Sequence, residues 1–285
     1  MLKNVIIRLL YHGTSTTATD AYIGISEFNT TKNSPKYVGY MYGDSDTTLE
    51  DARTNTNDST IKTAIDNWYA SNMTSYTKYL STTAVYCNDR ELATGSTYKV
   101  ANYIKNDTET LIAYLDAEDT KKTIIATPEV GGIGSHFDYA ADTRLYTNKT
   151  PTYNCTNDND KFTVDASAGN GKLTYPIALM TADEIAYAGG VYLTNAPMWY
   201  YTNSTLESST GTTYWWSLSP RCWNGLGAIL WNVHGSDNPG RLFNDGGVRA
   251  SYGVRPAVSL KYCIKYSTGN GTSETPYEIV GNCGC

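Results

Sequence analysis

The sequence predicts an α+β domain of short mixed and antiparallel strands, two or three helices and long loops. Three observations lead there: short apolar runs broken by Gly, Asn, Asp and Thr, two segments with helical spacing behind good caps, and a composition rich in Thr, Asn and Ser whose aromatics are mostly tyrosine. At 285 residues, 40% hydrophobic and 18% charged, the chain can bury a sizeable core. The core domain is expected to span residues 1–265, with 266–285 as a C-terminal tail or strand.

The elements follow in chain order. The run Val5 to Leu10 reads as a buried strand; Arg8 interrupts it and no small-residue cleavage site follows, which argues against a signal peptide. "YVGYMY" reads as another strand. In "STIKTAIDNWYASN", Ile61, Ile65 and Trp68 share one helical face behind Ser59 and Thr60, both good caps. "TSYTKYL", from Thr74 to Leu80, starts a second short helix. Between Asp89 and Asn154 patterning is weakest, and this segment is expected to wrap the core as loops around short runs such as "TLIAYL" and "TIIAT". "KFTV" and "LTYPIALM" read as strands. "TADEIAYAGG" sets Thr181 and Glu184 at capping-box spacing, with Gly189 as the left-handed stop. Ala228 to Val233 and Gly253 to Val258 read as strands, joined by a turn-rich ribbon holding Asn238, Pro239 and Gly240.

Composition also excludes functions. A formal charge of -6 and the lack of any basic run argue against nucleic acid, which demands a local surplus of Lys and Arg. No apolar run approaches the roughly eighteen residues of a membrane span. There is no G-x-S-x-G elbow, Walker loop or dinucleotide fingerprint, so no catalytic residue is nominated and an enzyme is not expected. His12, His136 and His234 read as isolated, and neither a metal nor another cofactor is expected. Asp158, Asp160 and Asp165 could hold calcium, although the glycine and final Glu of an EF-hand are missing. Cys87 and Cys155 could pair in an oxidising compartment or remain free, and "CGC" at the terminus cannot close on itself without strain.

One stretch stands apart. Tyr214 to Leu260 holds four tryptophans and half of the chain's arginines, yet no Lys, Glu, Gln or Met occurs from Ser208 through Leu260. Codons ending in a pyrimidine encode none of those four types. Asn codons of that kind, with their adenines randomised, yield Arg, Cys, Leu, Ile, His, Phe, Asp, Gly, Ala and Tyr, the residues found between the tryptophans. Gln is absent throughout, so Lys is the informative absence; it returns at Lys261.

The frame "YWWSLSP…A-x-L-x-x-V…GVRPAVSL", with "IKTAIDNWYASN", "YCNDR" and "GKLTYPIALMTADEIAYAGGVY", resembles a family of C-type-lectin-fold proteins from gut bacteria and their phages. Many of its members are variable proteins of diversity-generating retroelements. The likeness covers most of the chain; the family often carries further residues before the first strand, and the "GNCGC" end departs from its pattern. It implies a C-type lectin fold and a ligand-binding display protein of the cell surface or virion, an adhesin whose hypervariable patch at 214–260 meets a protein or glycan on a cell.

Within that reading, Trp215, Leu218, Ala228, Leu230, Val233, Leu242, Val248 and Val254 form the buried scaffold. The displayed set is Arg221, Cys222, Leu226, Ile229, His234, Arg241, Phe243, Asn244, Asp245, Arg249, Ala250 and Tyr252. Trp223 and Trp231 either flank it as fixed contacts or pack in the core. Arg255 is expected to satisfy loop carbonyls. The rival reading is a structural cell-surface or pilin-like subunit without a diversified site. A formylglycine-generating type of enzyme would need a copper-binding cysteine pair, and an animal-type lectin a Glu-Pro-Asn or Gln-Pro-Asp motif; "DNPG" is neither.

Overall fold

The computed structural model describes residues 7–13, 21–98, 136–194, 214–225, 227–235, 238, 240–270 and 275–280. These residues form an α+β structure with many short strands and few helices. Ten strands matter for the site: β1 (Arg8–Leu10), β2 (Ile25–Ser26), β3 (Phe137–Asp138), β4 (Ile177–Leu179), β5 (Val191–Tyr192), β6 (Tyr214–Trp223), β7 (Ala228–His234), β8 (Arg241–Gly247), β9 (Tyr252–Gly253) and β10 (Pro256–Ser259). The larger sheet runs β2-β9-β6-β7-β8-β5, with β3 pairing alongside β6. β6, β7 and β8 form its antiparallel centre, whereas β9 on β6 and β5 on β8 are parallel. A smaller antiparallel sheet runs β1-β10-β4.

The stretch 214–260 therefore supplies the middle of the large sheet. Among the described residues of its ribbon, the Arg241 amide donates to the Asn238 carbonyl at 3.1 Å and Gly240 takes a left-handed φ of 69°, and strand resumes at Arg241. β8 then pairs with β7.

Both faces of β6 and β7 are buried, in two clusters. Trp216, Leu218, Trp223, Ala228, Leu230 and Val248 join the cluster that contains Ile61, Ile65 and Tyr69 of helix α1 (Thr60–Asn72). Trp215, Trp231, Val233 and Leu242 join the second, with Ala141 and Leu145 of the helical segment 140–148 and with Ala182 and Ile185 of helix α2 (Ala182–Tyr187). A sheet covered on both sides makes one three-layered unit. An indole removes about 150–250 Å² of surface, roughly 4–6 kcal/mol gross at about 25 cal/mol/Å². Four fully buried tryptophans, the largest buried side chains among the described residues, thus anchor this stretch.

The helices start where the caps predict. The Ser59 side chain accepts from the Lys62 amide, and the apolar face of α1 faces the core. At α2 the box is reciprocal: the Glu184 amide donates to Thr181 Oγ1 at 3.0 Å, and the Thr181 amide to Glu184 Oε2 at 2.9 Å. Gly189, at φ 103°, follows the helix end. Thr74–Tyr79 is a 3-10 helix.

Elsewhere the structure departs from the sequence reading. Among the described residues β1 pairs with β10 alone, and Ile7, just before it, and Leu9 are exposed rather than buried. Its Arg8 turns inward, over the Tyr86 ring at 4.1 Å and onto Glu184 at 2.9 Å. The first half of "YVGYMY" ends a 3-10 helix, and only Met41–Tyr42 is strand. "KFTV" contributes Lys161–Phe162, paired with Tyr86–Cys87. Of the expected loop region, 136–154 forms β3 and the helical segment, and "TLIAYL" and "TIIAT" lie outside the described residues. Cys87 and Cys155 are disulfide-bonded, as is Cys263.

Candidate functional site

The scaffold residues named from the sequence, Trp215, Leu218, Ala228, Leu230, Val233, Leu242, Val248 and Val254, are all buried. Arg255 is buried too, donating to the Tyr11 carbonyl at 3.2 Å and lying over the Trp215 ring at 4.8 Å. It is a structural arginine.

The displayed set divides. Asp245 and Arg249 are exposed, and Arg221, Arg241, Phe243, Asn244, Ala250 and Tyr252 are partly exposed. Cys222, Ile229 and His234 are buried, as are Trp223 and Trp231, so none of these five is a surface contact. Both faces of β6 and β7 are covered: the 140–148 segment and α2 pack over Trp231, Trp223 belongs to the opposite cluster, and His234 has the rings of Tyr214 and Phe243 against it. Leu226 lies outside the described residues.

The open residues form two groups on opposite faces. Phe243 and Asn244 are neighbours on β8 and point opposite ways, as strand geometry requires. On one side a row of rings crosses four adjacent strands. Tyr252 of β9 meets Tyr214 of β6 at 5.1 Å, Tyr214 meets His234 of β7 at 4.2 Å, and His234 meets Phe243 of β8 at 4.8 Å. Tyr252 also leans on buried Trp216 at 4.6 Å, and Arg241 lies over the Phe243 ring at 5.5 Å. Burial pushes the Tyr252 phenol above its ordinary range. Cross-strand aromatic pairs of this kind stiffen a surface as well as offering ring faces to a partner.

On the other side is a polar group. Asp142 Oδ1 accepts from Arg221 Nε at 3.2 Å and from Asn244 Nδ2 at 3.0 Å, tying β6 and β8 to the helical segment. Arg221 Nη1 also donates to Cys222 Sγ at 2.5 Å and stands 3.9 Å from Asp138. His136 is not isolated: its Nε2 lies 3.1 Å from Asp138 Oδ1. That contact holds the Asp138 carboxyl below the usual carboxylate range against the opposing effect of burial. Sequence reasoning missed Asp138, Asp142 and Tyr214. A period-two pair was visible in "HFD", but it has meaning only once the segment is known to be a strand.

Of the calcium candidates, Asp160 is fully buried and committed to Arg90, while Asp158 pairs with Lys161 at 2.7 Å and Asp165 caps its own turn through the Ser167 amide. They do not converge. A separate cavity of about 740 Å³ is lined by Arg8, Asp89, Arg144, Asp183, Glu184 and Tyr187 among others, and by none of the sequence-nominated residues. Its charges close on one another: Arg144 bridges Asp89 at 2.8 Å and Asp183 at 2.9 Å, and Arg8 pairs with Glu184. No described helix is long and apolar enough to cross a membrane. No family model, curated protein or solved structure matches the chain.

Proposed function

We propose that this chain is a non-enzymatic display protein, built on a C-type-lectin-like scaffold, that presents a variable surface to a protein or glycan on a cell. The observation that carries the reading is the division between buried and open residues from β8 through the following turn to β9. Leu242, Gly246 and Val248 are buried, while Arg241, Phe243, Asn244, Asp245, Arg249 and Tyr252, the residues of mixed chemistry, are wholly or partly open. From Arg241 to Tyr252 the chain thus keeps apolar and small residues inside and puts its chemical variety outside. The Cys87–Cys155 disulfide supports an oxidising, extracellular or virion setting.

The binding surface on this reading is the aromatic row with its cationic end, Arg241 and Phe243 through Tyr252 to the turn bearing Arg249. Arginine pairs with carboxylates and stacks on rings, so a macromolecule offering acidic groups or apolar anchors suits it. The experiment is to pan the protein against surface proteins and glycans of candidate cells, beside a variant with Arg241, Phe243, Arg249 and Tyr252 changed to Ala. The expected loss is about 1 to 4 kcal/mol, roughly five- to a thousandfold in affinity. Equal binding by both proteins would assign the partner to another face, and no partner at all would favour a purely structural surface subunit.

A further inference from the structure

The polar group beside Arg221 contains three metal-ligand types that the backbone itself brings together. His136 and Asp138 are two residues apart on extended chain, so their side chains share a face. Cys222 lies directly opposite Asp138 in the antiparallel register of β3 on β6. Nε2 of His136, a carboxylate oxygen of Asp138 and Sγ of Cys222 all lie within 4.8 Å of one another, with the nitrogen and oxygen 3.1 Å apart. In a tetrahedral zinc site with bonds of about 2.0–2.3 Å, neighbouring ligand atoms stand roughly 3.3–3.8 Å apart. Side-chain adjustments of about 1 Å reach that geometry.

We propose that His136, Asp138 and Cys222 bind a divalent transition metal of the zinc type, three protein ligands leaving a fourth position on the half-exposed His136 side for water or a ligand donor. Imidazole, thiolate and carboxylate together select zinc or its neighbours over calcium or magnesium, which take oxygen alone. The charges close. With a neutral thiol, Arg221, Asp138 and Asp142 sum to minus one; a dication bound to the Cys222 thiolate brings the cluster to zero. The S–H bond breaks as the metal–sulfur bond forms, and the proton leaves to solvent.

Burial otherwise holds the Cys222 thiol neutral, pushed up to about 12. Arg221 Nη1 lies against Sγ and near Asp138, so it has to draw back as the ion enters; held through Nε by Asp142, it then donates the kind of outer hydrogen bond that metal-bound thiolates accept. This inference does not depend on the display reading, since it concerns β3 and β6 rather than the ring row.

The test uses tag-free, chelator-stripped protein with its disulfides intact. It is titrated with cobalt(II) and then zinc, following the near-ultraviolet thiolate-to-cobalt charge-transfer absorption and the metal content of the dialysed protein. The expected result is one ion per chain, an absorption band that zinc abolishes, no band in Cys222→Ser, and affinity at least tenfold weaker in His136→Ala and Asp138→Asn. The last two change partly exposed side chains, so they carry the test if Cys222→Ser does not fold, with melting curves as the check. No band in the wild type, or binding unchanged by His136→Ala and Asp138→Asn, overturns the proposal.

Discussion

Replacing Asp160 with Ala tests whether that carboxylate is a structural anchor or a metal ligand. Its two oxygens are spoken for: Oδ1 accepts from Arg90 Nε at 2.6 Å and Oδ2 from the Arg90 amide at 2.9 Å, with both side chains 1% exposed. Arg53 Nε stands 3.4 Å from Oδ2. The rest of the Arg90 guanidinium donates to the carbonyls of Met41 and Ala52 and to the Asn55 side chain, so it cannot swing to solvent when its partner goes. Removing one member of a buried ion pair costs about 3–5 kcal/mol. Two hydrogen bonds to a charged group, at about 1.5–3 kcal/mol each, give the same range. A loss of about 4 kcal/mol is about a quarter or more of a typical total stability of roughly 5–15 kcal/mol. In urea, with a slope near 3 kcal/mol/M, the midpoint should fall by about 1.3 M. Asp158→Ala, whose pair with Lys161 is exposed, should change stability by about 0.5 kcal/mol or less. Added calcium should move neither curve. A loss below about 1 kcal/mol for Asp160→Ala, or a calcium-dependent midpoint in the wild type that the variant lacks, would refute the reasoning.

The Cys87–Cys155 bond spans a sequence separation of 68, and the chain-entropy relation then puts the Cys87→Ser, Cys155→Ser protein about 4 kcal/mol below the wild type in urea; a loss under about 1 kcal/mol would show that the bond constrains little. His12 is held down to about 4 by burial and then by Arg255, so the unfolded chain binds the extra proton first, and its stabilising contribution, present above about pH 6.5, is lost as pH falls towards 4. His12→Asn should flatten that part of the stability profile, and an unchanged slope sinks the assignment. Trp215→Ala should cost about 3–5 kcal/mol, against about 0.5 kcal/mol or less for exposed Arg249→Ala; equal losses in denaturant melts would remove the distinction between scaffold and open positions.

What the sequence made legible was local. Ser59 ahead of an Ile61, Ile65, Trp68 face, the Thr181 and Glu184 pair, and the apolar strand from Ala228 are each set by residues within a few positions of one another, and each stands where expected. β8 was hidden because its turn and its Gly246–Gly247 end read as loop chemistry, although β7 pairs with it along its length. The burial of Trp231 was hidden for a different reason. The layer that covers this sheet comes from Ala141, Leu145 and Ile185, tens of residues upstream, and no pattern within β7 can announce it.

That covering layer bears on how such a sheet could tolerate variation. On β7 every residue is buried, so a change at Ile229 or Trp231 alters packing and carries the cost of a cavity or a clash. On β8 and in the turn to β9, Arg241, Phe243, Asp245 and Arg249 are wholly or partly exposed between buried Leu242, Gly246 and Val248, and changes there leave those buried residues in place. Variation confined to β8, the following turn and Tyr252 would change the partner without changing the fold. Variation spread evenly over 214–260 would not. Parallel sequences of the gene from one population therefore discriminate: substitutions concentrated at Arg241, Phe243, Asn244, Asp245, Arg249 and Tyr252, with Ile229 and Trp231 held to apolar residues, follow from a displayed surface, and an even spread over both sets contradicts it.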